Sequence, residues 1–118
     1  MGRFSREKGK RGEREAAELL TQWGLEARRA VQYAGSPEGG ASDLVVAGLP
    51  QLRIEVKRTE TSLIHPWLAQ LKLDSVGADA VNVIMHKRNG GEWIGIMPAS
   101  SLEILLRAYQ CMVRGRAV

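Results

Sequence analysis

The chain has 118 residues and a mass of 13.0 kDa, which is room for one compact domain and too little for two ordinary ones, because domains cluster near ~100–150 residues. Apolar residues make up 44% and charged residues 25%, a balance that excludes wholesale disorder and fibrous repeats, while 17 Lys and Arg against 13 Asp and Glu leave a net charge of +4 that favours polyanionic partners. The single cysteine, Cys111, excludes an intrachain disulfide and a thiolate zinc site, no apolar run reaches the ~18 residues of a membrane span, and Met1-Gly2-Arg3-Phe4-Ser5 lacks the apolar stretch of a secretion signal, so a cytoplasmic protein without membrane partners is expected.

The positive charge gathers at the start. Arg3, Arg6, Lys8, Lys10, Arg11 and Arg14 face only Glu7 and Glu13, and residues 1–11 read as a flexible basic arm. A helix is predicted over 12–23, with Ala16, Ala17, Leu19, Leu20 and Trp23 apolar and Gly24 as its C-terminal cap. Residues 25–31 alternate as a short strand, and 33–42, rich in glycine and small residues, read as a mobile loop. The runs 43–47 and 52–57 flank Gly48-Leu49-Pro50-Gln51 as a hairpin. Pro66 suits the first turn of a second helix over 66–76 that stops before Gly77. Strands at 80–85 and 92–97 flank Arg88-Asn89-Gly90-Gly91, a turn in which Asn-Gly tolerates positive φ. A third helix follows over 100–110, and 113–118 form a basic tail. This order predicts one α/β domain with a mixed sheet flanked by helices.

The hairpin places two carboxylates. With its turn centred on Leu49, Asp43 falls directly across from Glu55, and opposite residues hold their Cβ atoms ~4.5–5.5 Å apart, a separation suited to sharing a divalent cation. Alternation along the strand puts Lys57 on the same face as Glu55, with Ile54 and Val56 turned to the core. Helical periodicity adds a third acid: Glu13 lies in the apolar arc of Ala16, Ala17, Leu20 and Trp23, whereas Glu15 and Glu18 face away. A core-facing carboxylate needs a partner, and a cation held against the hairpin supplies one. Asp43, Glu55, Glu13 and the main-chain carbonyl of Val56 are the expected ligands of Mg²⁺, which prefers oxygen donors and keeps waters and substrate phosphates in its shell. In that arrangement Lys57 orients the attacking water or neutralises the transition state of phosphodiester hydrolysis.

Each of these residues also has a plainer reading. A Glu-x-Lys on a strand is commonly an edge charge pair, and an acid near a helix N-terminus is favoured by the macrodipole; it is their coincidence that points to a site. His65 and His86 are expected at the surface, and Trp23, Trp67 and Trp93 in the core.

Lys8-Gly9-x-x-x-Glu13-Arg14-Glu15, Gly35-Ser36, Asp43-Leu44-Val45 and Ile54-Glu55-Val56-Lys57 together resemble the archaeal-type Holliday-junction resolvases, a branch of the PD-(D/E)xK nuclease superfamily, over residues 6–58. The resemblance implies a restriction-endonuclease-like fold, catalytic positions at Glu13, Asp43, Glu55 and Lys57, a serine near the scissile phosphate at Ser36, a DNA-contacting Arg29, use of Mg²⁺ or Mn²⁺, and a homodimer. Gln70, on the helix after the lysine strand, is similar to a glutamine found there in many nucleases of the superfamily. Ser42 stands where the motif often has proline. The expected function is a Mg²⁺-dependent endonuclease that nicks four-way DNA junctions, with phosphates contacted by Arg6, Lys8, Lys10, Arg11, Arg14, Arg28, Arg29 and Arg58. A nuclease acting on duplex, flap or single-stranded DNA is the alternative, and a non-catalytic DNA-binding module a third reading. A small stand-alone nuclease also suits a phage genome, which would place it in the host cytoplasm.

Overall fold

The computed structural model describes residues 3–30, 32–33, 36–37, 42–74 and 80–116. The elements run α1 (Arg3–Gln22), β1 (Ala27–Arg29), β2 (Gln32–Tyr33), β3 (Ser36–Pro37), β4 (Leu44–Val46), β5 (Leu52–Arg58), α2 (Ile64–Asp74), β6 (Val81–Lys87), β7 (Ile94–Ile96) and α3 (Ala99–Arg116). Five strands form one sheet in the order β1-β4-β5-β6-β7, and β2 and β3 form a separate small pair. The sheet is mixed: β5 and β6 run parallel, joined by the crossover through α2, and the other neighbours are antiparallel.

Helix α1 covers one face of this sheet. Ala16, Ala17 and Leu20 close over Leu44, Val46, Ile54 and Met85 as a single buried cluster, with Leu52, Val56 and Val83 packed beside it. Period-two alternation then sends Arg53, Glu55 and Lys57 of β5, and Asn82, Ile84 and His86 of β6, to the opposite face, where α2 and α3 lie against β6. The expected α/β organisation, a mixed sheet flanked by helices, is therefore present, with α1 on one side and α2 and α3 on the other.

Several boundaries differ from the sequence reading. The basic arm is the first half of α1, because the Arg, Lys and Glu residues around Gly9 and Gly12 are strong helix formers and outweigh two glycines. Gly12 is buried, and a side chain there would meet the stem of Arg58, so a close approach explains the glycine. At the other end, Gly24 (φ 91°) closes α1 as predicted: Leu25 N donates to Leu20 O and Gly24 N to Thr21 O, the paired bonds of a Schellman cap. The tail expected from 113 is the last turn of α3, which runs to Arg116. Trp23 is 64% exposed rather than part of the core, since it lies just past the last helical residue. His86 is 2% exposed rather than superficial, because β6 is an inner strand roofed by α2. In the 88–91 turn only Gly90 takes a positive φ, 73°, and Gly91 N donates to Arg88 O. Of the loop expected at 33–42, only Tyr33, Ser36, Pro37 and Ser42 lie among the described residues, and there Tyr33 of β2 pairs with Ser36 of β3 as a short antiparallel strand pair in place of loop.

Candidate active site

The β4–β5 hairpin has the register that counting from its turn requires. Leu44 pairs with Ile54, and the chain reverses through Leu49 N to Val46 O and Leu52 N to Leu49 O, with Gly48 at φ 83°. Asp43 N donates to Ile54 O at 2.8 Å, and the Asp43 carboxylate reaches across the ladder, Oδ2 accepting from Val56 N at 2.8 Å. Asp43 is thereby tied to the backbone beside Glu55. Lys57 Nζ lies 3.7 Å from Glu55 Oε1, so acid and ammonium share a face as alternation demands.

Ser42 contributes in a way the sequence did not disclose. Its hydroxyl is buried, accepts from Ile54 N at 2.9 Å and donates to Leu44 O at 2.6 Å. It locks the two strands together one residue before Asp43. The signal available was its position in the motif, where proline is more usual; proline has no hydroxyl with which to make these bonds.

Burial pushes the Asp43 carboxyl up to about 6, reinforced by the negative charge of Glu13; the Val56 N–H bond and the cations Lys57 and Arg29 pull the other way without cancelling it. Burial dominates because a carboxylate loses hydration that one N–H bond does not replace. A carboxylate in this state is a strong candidate for neutralisation by a cation. The hard oxygen donors Asp43, Glu55 and the Val56 carbonyl fit a divalent ion of the Mg²⁺ class, for which one or two carboxylates suffice.

Glu13 behaves differently from the other two acids. It belongs to α1, on the core-cluster face of the sheet, and its Oε1 accepts from Arg29 Nε at 2.9 Å. Arg29 extends from the same face, since it pairs in register with Leu44. Among the described residues, no three His, Cys, Asp or Glu side chains form a ready metal-holding group. The reason is topological: Glu55 and Lys57 sit on one face, Glu13 and Arg29 on the other, and Asp43 at the strand entry feels both. Glu13 and Arg29, expected as ligand and DNA contact, are partners of each other here.

The lysine has a support of its own. Its Nζ lies 5.7 Å from the centroid of the Trp67 ring on α2, and His86 meets Trp67 edge to face, centroids 5.1 Å apart. His86 Nε2 in turn lies 2.9 Å from Thr59 O. Pairing of Lys57 with His86 across the parallel ladder brings both toward α2. Trp67 and His86 thus position the lysine, a role visible only after β5, β6 and α2 pack. Gln70 follows Trp67 by one turn on the exposed part of α2.

Of the expected phosphate contacts, Lys10, Arg11, Arg14 and Arg28 are exposed and Lys8 half-buried. Lys10 sits one turn before Glu13 and Arg14 directly after it, so the cationic flank of α1 borders the site. Arg58 is turned inward instead. Its side chain is 12% exposed, ion-paired to Glu15 at 3.6 Å and donating to Lys87 O at 3.2 Å, which makes it a clasp between α1 and the sheet. The side chains of Arg6 and Ser36 lie outside the described residues.

The family model described as "Phage putative PDDEXK endonuclease" matches residues 4–115, nearly the whole chain. No curated protein and no solved structure matches it. The mixed five-stranded sheet with flanking helices is consistent with that family. The chain belongs to this PDDEXK endonuclease family and is a metal-dependent endonuclease.

Proposed function

We propose that the protein is a Mg²⁺- or Mn²⁺-dependent endonuclease for branched DNA, nicking four-way junctions as a homodimer. The observation that carries the chemistry is the crossing of Asp43 to Val56 N beside the Glu55–Lys57 pair. A divalent ion bound there would polarise the scissile phosphate and favour a hydroxide nucleophile. The chain's own residues do the rest. Asp43 and Glu55, with the Val56 carbonyl, supply the ligands; Lys57, held by Trp67, presents its ammonium to the charge that develops on the phosphate. Glu13 and Arg29 lie close enough to Asp43 to act on its charge, and Arg29 can exchange its carboxylate partner for a DNA phosphate. The lower-numbered turns of α1, with Lys8, Lys10, Arg11 and Arg14 and the start at Arg6, track the backbone without reading sequence. By its resemblance Ser36 approaches the scissile phosphate, and Gln70 borders the same groove.

The family description names an endonuclease without a DNA shape, which keeps duplex, flap and single-stranded DNA as the second reading. Incubation of the protein with labelled four-way junction, duplex, flap and single strand, each with Mg²⁺, Mn²⁺ or a chelator, separates the two. Paired nicks in the junction alone support the proposal, cleavage of linear duplex or flap at equal rate moves the assignment to the second reading, and no metal-dependent cleavage of any substrate overturns both.

A further inference from the structure

Beyond Lys57 on the same face of the sheet lies a polar cavity of about 330 Å³, lined by Ser62, His86, Arg88, Gly91, Glu92 and Ile94. Register places it. His86 pairs with Lys57 on one side and with Ile94 on the other, so the three form one row across β5, β6 and β7, and Ile94 stands two strand spacings, about 10 Å, from the lysine strand. Three stacked base steps of ~3.4 Å cover that distance, and fewer in an extended strand.

The polar groups around this cavity are not used by the fold. Arg88 and Glu92 stand on either side of a tight turn, in which Gly91 N donates to Arg88 O and Gly90 takes φ 73°. Among the described residues neither side chain makes a hydrogen bond or ion pair, with the other or with a third group, and Ser62 Oγ is likewise without a partner. His86 adds a buried group, being 2% exposed. Its Nε2 lies 2.9 Å from Thr59 O and therefore donates to it, which leaves Nδ1 an acceptor with no partner among the described residues. A cation and an anion that line one cavity without closing on each other hold donors and acceptors apart.

We infer that this cavity is a subsite for one unstacked base of the DNA, guanine above the others, a reading that rests on the DNA substrate proposed above. Phosphate is the wrong occupant, because Glu92 repels it. An apolar group is also wrong, because it would desolvate Arg88 and Glu92 without pairing them. A base carries donors and acceptors on its edges and offers an apolar face to Ile94. Guanine matches best: O6 and N7 take the two-pronged guanidinium of Arg88, and the amino group across the ring donates to Glu92. Adenine gives Arg88 only N7 on that edge, and thymine has no amino group for Glu92. Extruding a base costs least where it is already unpaired, so the subsite favours DNA with single-stranded nucleotides beside the cut over closed duplex.

Fluorescence anisotropy in a chelator tests this with five branched DNAs that differ only in three unpaired nucleotides at the branch, which are all guanine, adenine, cytosine, thymine or abasic. The wild type is expected to bind the guanine DNA about tenfold tighter than the abasic one. Arg88→Met and Glu92→Ala should each bring the five within about twofold of one another, and Arg88→Gln should move the preference to adenine, whose N6 and N7 a glutamine reads. These side chains have no partner within the fold, so the variants should melt with the wild type. A wild type that binds all five alike overturns the inference, as does a guanine preference that survives Arg88→Met or Glu92→Ala. Adding Mg²⁺ to the same DNAs reads the nuclease separately. Metal-dependent cutting without base preference in binding overturns the subsite and keeps the nuclease reading, and guanine-selective binding without cutting does the reverse.

Discussion

Asp43 carries the clearest consequence of burial at the level of one side chain. With its pKa raised from 3.8 to about 6, the neutral form is the one the metal-free fold prefers. The associated stability is fully present below the unfolded value near 4 and is lost as pH rises through 6. The shift corresponds to about 3 kcal/mol. Metal-free protein should therefore melt at lower temperature at pH 8 than at pH 5, and Mg²⁺ should recover part of the difference. Asp43→Asn, which keeps an acceptor for Val56 N, should flatten that pH dependence in thermal melts while abolishing cleavage. A variant that still cut DNA would remove Asp43 from the site. Lys57 sets a second expectation. Trp67→Leu takes away a cation–π contact worth about 0.5–2 kcal/mol, so single-turnover cleavage should slow by roughly tenfold with DNA affinity unchanged. Lys57→Met should cost more, about a hundredfold or beyond, because the charge itself is gone.

At the level of elements, α1 joins the fold to the DNA-facing surface. Two glycines in one helix make opposite predictions. Gly9 has open space around its Cβ position, so Gly9→Ala should stabilise by about 0.5–1 kcal/mol, through the entropy of the unfolded chain and better helix propensity. Gly12→Ala pushes on the Arg58 stem and loosens its ion pair to Glu15 and its bond to Lys87 O, and should destabilise by about 1–3 kcal/mol. Urea melts of the two variants check both signs. The same helix explains why the basic stretch reads locally as a flexible arm and folds as helix. Glycine at two positions is a local signal against helix, yet the residues between them favour it, and the Gly12–Arg58 contact exists only once β5 packs across α1. The hairpin lies at the other extreme. Turn position and alternation alone place Asp43 opposite Glu55 and Lys57 beside it, because a two-strand register depends on local counting.

For the whole molecule, a modest net charge of +4 averages a cationic flank of α1 with a carboxylate-lined site. Binding to junction DNA should weaken steeply with salt, and each of Lys10→Ala, Arg11→Ala and Arg14→Ala should reduce the log–log slope by about 0.9. Titration by fluorescence anisotropy across a range of salt reads this directly, and an unchanged slope would remove that residue from the phosphate contacts. Arg58→Ala, by contrast, should leave the slope alone and lower stability, since its guanidinium is spent inside the fold.

Sequence by itself determined what depends on neighbours along the chain: the α/β order of elements, the Gly24 cap, the β4–β5 register, and Glu55 and Lys57 on one face of their strand. It could not determine what depends on which face of the sheet each element covers. Glu13 looked inward on its helix and does face the core, but only the tertiary structure shows that α1 lies on the opposite side of the sheet from Glu55 and hands Glu13 to Arg29. The burial of His86 beneath α2, the support of Lys57 by Trp67, and the cavity that Arg88 and Glu92 share were decided in the same way. Periodicity reports that a face is apolar or polar; only packing reports what, if anything, lies against it.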